Sequence, residues 1–167
     1  MSKVKELKVK VLEAQQNADI AAMYILQEEA HATFDEETLS GFFANILDLA
    51  LENLTNTLES CSKFNINDVQ DFATLRALYE YAMEHYHAGA MKDASALYEV
   101  LAGITNDEEF SLSLKYHYIA ADKGISLEVF MDDYADMEKT QTNKTFYISC
   151  FKKKAQSLLV MKKSTAE

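Results

Sequence analysis

The amino-acid sequence predicts an all-α protein, and three observations favour this class. The chain has 167 residues with no proline and only four glycines, so few residues interrupt a helix. Alternating β-branched runs closed by Asn-Gly or Gly-Gly turns, which are typical of strands, are absent. Hydrophobic residues make up 49% of the chain, which is enough to fill one core. We therefore expect a single all-helical domain over residues 1–167.

The N-terminal region, residues 1–66, is expected to contain two long helical segments. The first runs from about Lys3 to His31 by its apolar periodicity, with residues 17–19 as a potential break. The second covers about residues 36–60 and carries an apolar face wide enough to pack against more than one neighbour. Asp35 is the expected N-cap of the second segment, because the acidic residues that follow it suit the first turn of a helix.

Residues 67–141 are predicted to form antiparallel helix hairpins, and residues 142–162 a capping helix. Capping-box spacings start two of these helices, at Asn67 with Gln70 and at Asn106 with Glu109, and Ser126 is the expected cap of another. The predicted helices cover about residues 67–88, 91–103, 106–123, 127–139 and 144–162. The last of them presents aromatic residues opposite a lysine-rich face, as a helix that covers the end of a stack would.

Residues 75–108 carry the most specific pattern of the chain. Small residues lie where two packed helices approach closely (Ala82 and Ala94), Gly89 lies in the turn between them, and Tyr98 fills an aromatic position. This spacing matches the 34-residue tetratricopeptide unit, in which small and aromatic residues recur at fixed places. A weaker second unit follows at an offset of 35 residues, which aligns Gly124 with Gly89.

This pattern resembles the first repeat of the tetratricopeptide-type (class II) chaperones of type III secretion. The matching positions are Leu78, Tyr79, Ala82, Tyr86, Gly89, Ala94, Tyr98, Leu101 and Ile104. The resemblance implies a cytoplasmic, non-enzymatic helical stack whose concave groove holds a segment of a secreted client, and often a homodimer. A gatekeeper or a flagellar export component fits the same residues.

In such repeats the first helix of each pair lines the concave face, which gives a set of candidate partner-binding residues. The set is Arg76, Tyr79, Met83, Tyr86, His87, Leu114 and Tyr118. Aromatic and methionine side chains bury large areas and adapt to the shape of a partner. The alternative interpretation is that these are ordinary core residues beneath the N-terminal helices.

Two further functions stay open at this stage. Glu-x-x-His occurs twice, as Glu28 with His31 and as Glu84 with His87, which is the spacing of di-metal helical bundles. The wide apolar faces also suit a structural subunit of a larger complex. No phosphate loop, Cys-His pair with family spacing or Gly-x-Ser-x-Gly motif is present, so the first expectation is a protein without catalytic residues, bound metal or cofactor.

Charge and hydropathy limit the classes of partner. Residues 11–151 contain 25 of the 27 acidic side chains but only 7 of the 16 basic ones, so nucleic acid is not an expected partner. No apolar run approaches the roughly 18 residues of a membrane span. Two widely separated cysteines indicate no disulfide framework, which favours the cytoplasm.

Overall fold

The structure, a computed structural model, describes residues 2–160, and these residues form helices joined mainly by short turns. In that range there is no β-strand, and an isolated antiparallel bridge joins Ala135 and Phe151. The all-α prediction is therefore confirmed. The chain divides into two compact units, Met1–Leu78 and Tyr79–Glu167, and the division falls within a helix.

In the described part of unit 1, residues 2–78, the chain forms four helices and the start of a fifth. They are α1 (Lys3–Gln16), α2 (Ile20–Ile25), α3 (Gln27–Thr33), α4 (Glu36–Glu59) and α5 (Val69–His87), of which α5 continues into unit 2. The expected break at residues 17–19 is present, because Ala18 has a φ of 52° and cannot continue a right-handed helix. Leu7, Ile20 and Met23 are fully buried and belong to the core of this unit.

Side-chain caps determine where the helices of unit 1 begin. Asp35 accepts a hydrogen bond from the Thr38 amide at 2.7 Å, which confirms it as the N-cap of α4. The predicted capping box at Asn67 is wrong by one residue. Asp68 Oδ1 instead accepts from the amides of Gln70 and Asp71 at 3.0 and 2.9 Å.

Unit 2 is built around the second half of α5 and two long helices that follow it. These are α6 (Met91–Ile104) and α7 (Glu108–Asp122). Gly89 has a φ of 85°, which an L side chain rarely adopts, and it makes the tight turn from α5 to α6. Two serine hydroxyls fix α6 against α7: Ser95 donates to the Tyr118 carbonyl at 2.9 Å, and Ser111 donates to the Ala102 carbonyl at 2.8 Å.

Asp107, not Asn106, is the N-cap of α7. Its Oδ2 accepts from the Phe110 amide at 2.8 Å, so the second capping box is also displaced by one residue from its predicted position. Ser126 does accept from the Val129 amide at 3.2 Å, as expected, but the helix that it starts is short. This helix, α8 (Leu127–Val129), leads directly into a wide π turn over Phe130–Tyr134.

The predicted C-terminal capping helix over residues 142–162 is wrong for most of its length. Residues 140–143, which lie between the predicted helices 127–139 and 144–162, belong instead to α9 (Met137–Asn143), which ends where Lys144 takes a left-handed φ of 55°. Residues 144–152 are then irregular. A 3₁₀ turn at Lys153–Ala155 leads into helical residues 156–160, and the rest of the predicted helix lies outside the described residues.

Candidate functional site

Four of the seven predicted partner-binding residues lie in the core of unit 2. Tyr79, Tyr86, Leu114 and Tyr118 are all buried. The expectation that these side chains line an open concave surface is therefore corrected. Met83 and Arg76 are half-buried, and His87 is exposed at the end of α5.

The hydroxyl of the buried Tyr79 side chain has hydrogen-bond partners inside unit 2. His117 Nδ1 donates to the Ser113 carbonyl at 2.6 Å, so the neutral ring offers Nε2 as an acceptor to the Tyr79 hydroxyl at 2.7 Å. The same hydroxyl accepts from the Ile148 amide at 3.0 Å. Burial raises the pKa of the Tyr79 phenol well above its usual range, so the hydroxyl keeps its proton and its role as a donor.

The chain itself covers the face that the prediction left open to a partner. The rings of Phe146 and Tyr147 lie 5.9 and 6.3 Å from the Tyr79 ring, in edge contacts that aromatic pairs favour. Backbone hydrogen bonds hold the end of this segment, because the Lys152 amide donates to the Tyr134 carbonyl and the Asp136 amide to the Cys150 carbonyl, both at 2.8 Å. Residues 144–152 thus complete the core of unit 2.

Unit 1 contains an apolar groove between α2 and the start of α5, which we call the α2–α5 groove. Its volume is about 490 Å³, within the range of ligand-binding pockets. It is lined by Ala21, Tyr24, Ile25, Ile66, Asn67, Asp68, Val69, Phe72, Ala73 and Arg76. Arg76 is the one member of the predicted set that lines this groove.

Large apolar side chains of this groove are open to solvent. Ile25 is 82% exposed, Val69 is 68% exposed and Phe72 is 42% exposed. Single exposed apolar residues are normal on a protein surface, but several on one concave surface are typical of an interaction site. Sequence analysis missed this cluster. The feature of the sequence that indicates it is the nearly continuous apolar run of residues 20–26. A short helix with apolar residues on every face cannot bury all of them, so some of these side chains must be exposed.

Polar contacts fix the two walls of the groove in one arrangement. Asp19 caps α2 by accepting from the Ala22 amide at 3.0 Å, and it also accepts from the Gln70 side chain at 2.6 Å. The hydrogen bond from Gln70 has the larger effect on the Asp19 carboxyl and the one from the Ala22 amide the smaller, and both lower its pKa. The carboxyl is therefore ionised at neutral pH. Gln70 Oε1 also accepts from the Ala21 amide at 3.3 Å.

The other end of the groove is fixed by Arg76. Its guanidinium carbon lies 4.0 Å from the centre of the Tyr24 ring, a cation–π contact, and its Nη2 donates to Gln27 Oε1 at 3.1 Å. Hydrogen bonding between Asn53 and Thr74, at 3.0 Å, anchors the same stretch of α5 against α4. The groove is therefore held by contacts at each end, and the helix that forms one of its walls is anchored to α4.

Unit 2 has a second surface groove, between α5 and α6, with a volume of about 410 Å³. It is lined by Tyr81, His85, Asp93, Ala96, Leu97 and Val100. Of these side chains Val100 is the large aliphatic one that stands exposed, and Tyr81 packs against His85 with ring centres 4.5 Å apart. The α2–α5 groove presents more exposed apolar surface and is the stronger candidate.

The di-metal alternative requires several ligands in one place. Within residues 2–160, no group of three or more His, Cys, Asp or Glu side chains is arranged to hold a metal ion. His31 is exposed on α3 and contacts the Phe43 ring at 5.3 Å. Over the same part of the chain, no helix combines the length and the apolar character needed to cross a membrane.

Comparison of the chain with models of protein families, with curated proteins and with solved structures finds no match.

Proposed function

We propose that this protein is a non-enzymatic binding protein that holds an apolar segment of a partner protein in the α2–α5 groove. The observation that carries the proposal is the convergence of Ile25, Val69 and Phe72, all exposed, on one groove with fixed walls. Covering such side chains removes apolar area from water, at roughly 25 cal/mol per Å². A groove that is already formed loses little conformational entropy when it binds.

A more specific form of this proposal is that the protein is an export chaperone, and its basis is the resemblance of residues 75–108. A chaperone of this kind keeps an aggregation-prone segment soluble by covering its apolar side chains. The strongly acidic composition, with a formal net charge of −11, supports such a role because a large net charge keeps a protein and its bound client in solution.

The test compares two valine substitutions in protein isolated from its native cells. Val69→Asp places a charge in the groove, and it should be tolerated structurally because acidic residues suit the first turn of a helix. Val9→Asp is the matched control, since Val9 is 57% exposed on α1 and lies outside the groove. Quantitative mass spectrometry measures what co-purifies with each variant.

We expect Val69→Asp to remove a specific partner that Val9→Asp and the unchanged protein retain. Far-UV circular dichroism of both variants checks that helix content is unchanged. Identical sets of co-purifying proteins for all three forms would contradict the assignment of the groove as the binding site.

A further inference from the structure

The α2–α5 groove is electrically asymmetric along its length. Asp68 lies at the N-terminus of α5 and Arg76 lies eight residues later, which is about 12 Å along a helix axis. Asp68 is exposed, and its Oδ1 caps α5. One end of the groove therefore carries a carboxylate and the other a guanidinium.

The order of contacts shows that α2 and α5 run in the same direction. The start of α2 contacts Gln70, through Asp19 and the Ala21 amide, whereas Tyr24 and Gln27 contact Arg76 further along. The Asp19 carboxylate thus lies toward the same end as Asp68. Asp19 does not itself line the groove, but its charge has the same sign as that of Asp68 at this end.

The shape of the groove favours a helix as its occupant. The α5 wall presents residues 69, 72, 73 and 76, which are spaced i, i+3, i+4 and i+7, and the α2 wall presents residues 21, 24 and 25. Such rows of side chains on two helices receive the ridge of a third helix. Two turns of helix span about 11 Å, so an apolar stripe at i, i+3 or i+4, and i+7 matches the groove length.

A different protein suits this groove better than a second copy of the chain. Two copies would each bring a formal net charge of −11, and this repulsion opposes self-association at low ionic strength. A partner with basic residues would be attracted by the same charge.

Resting on the proposed function, we propose that the occupant is an amphipathic helix of another protein, with two or three bulky apolar residues in the groove. Its acidic residue lies beside Arg76 and its basic residue lies beside Asp68. The apolar residues provide the affinity, and the charged pairs select the register in which the helix lies.

Fluorescence anisotropy with a synthetic probe tests this assignment. The probe is a labelled peptide of about 16 residues with leucines at i, i+3 and i+7, a lysine at one end of the stripe and a glutamate at the other. A second peptide has lysine in place of the glutamate. Each is titrated with the unchanged protein, with Arg76→Glu and with Arg76→Gln.

Arg76→Glu should weaken binding of the first peptide by about fivefold, because one partly exposed charge pair is lost and a repulsion between like charges replaces it. The second peptide should recover most of that loss, and Arg76→Gln should give intermediate affinities for both peptides. This recovery cannot come from damage to the groove, because the variant protein is the same in both titrations.

Three other results would each overturn a different claim. Equal affinities for Arg76→Glu and the unchanged protein, with binding lost in Phe72→Asp, would remove the charge assignment and leave the proposed function. No binding, or binding that Phe72→Asp does not change, would remove the groove and the proposed function together. Dimers in analytical ultracentrifugation that Phe72→Asp abolishes would identify a second copy as the occupant, not another protein.

Discussion

His117 has both ring nitrogens engaged in the core of unit 2, with Nδ1 donating to the Ser113 carbonyl and Nε2 accepting from Tyr79. Aromatic rings surround it: those of Tyr79, Tyr98, Phe130 and Phe151 lie within 6.2 Å of its centre. None of these rings carries a charge that would stabilise an imidazolium ion. Burial therefore lowers the pKa of the His117 imidazole from 6.5 to about 4.

This shift predicts acid sensitivity of folding. The unfolded chain takes up a proton at His117 as the pH falls below about 6.5, and the folded protein does so only near 4, so the free energy of unfolding decreases across that window. Above pH 6.5 the titration of His117 does not change the free energy of unfolding. The full decrease, reached below about pH 4, is about 3 kcal/mol. Urea unfolding at a series of pH values measures the decrease.

A glutamine substitution isolates the contribution of this residue. His117→Gln should lower stability at pH 7 but flatten the dependence between pH 6.5 and 4, because glutamine does not titrate. His87→Gln serves as the control, since His87 is exposed. The same pH dependence in His117→Gln as in the unchanged protein would show that other groups cause the acid sensitivity.

The irregular segment of residues 144–152 is the element that decides which surfaces unit 2 exposes. The buried side chain of Thr140, on α9, holds this segment through its Oγ1, which accepts from the amides of Ser149 and Cys150 at 3.3 and 3.1 Å. Asn143 adds a contact from its Nδ2 to the Cys150 sulfur at 3.1 Å. This short helix therefore anchors the segment that covers Tyr79.

Thr140→Val should destabilise unit 2 by about 2 kcal/mol, because valine keeps the shape of the side chain but leaves two amides without their acceptor. Thr142→Val is the matched control on the same helix. Thr142 is exposed, so the loss of its hydroxyl should change the free energy of unfolding by less than about 0.5 kcal/mol. Urea unfolding monitored by the near-UV circular dichroism of the tyrosines measures both. Equal effects of the two substitutions would contradict the role given to Thr140.

Local signals in the sequence predicted most helices, and long-range contacts account for the largest error. Asp35 and Ser126 were identified as caps because a cap acts over three residues. The irregular conformation of residues 144–152 was not predicted, because the apolar side chains of this segment also fit a helical stripe. These side chains are Phe146, Tyr147, Cys150 and Phe151. A contact that holds this irregular segment in place joins Ile148 to Tyr79, 69 residues away, and no local pattern encodes it.

At the scale of the whole molecule, the same contact changes where a partner can bind. Arg76, Tyr79, Met83 and Tyr86 share one predicted helix face, but the two tyrosines are covered within unit 2 and Arg76 lines the groove of unit 1. The sequence pattern could identify the face but not what covers it. Binding through the exposed part of the predicted set stays a prediction, and the α2–α5 groove is the binding site that we propose.

The central claim is that this groove is the protein-binding site, and methyl NMR tests it most directly. The protein is labelled at isoleucine, leucine and valine methyl groups and titrated with the amphipathic peptide that carries one lysine and one glutamate. We predict that the largest shift changes occur at Ile25, Ile66 and Val69, which line the groove, while Val9 and Leu112 stay unchanged. Changes centred on Val9 or Leu112, or none at saturating peptide, would contradict the claim.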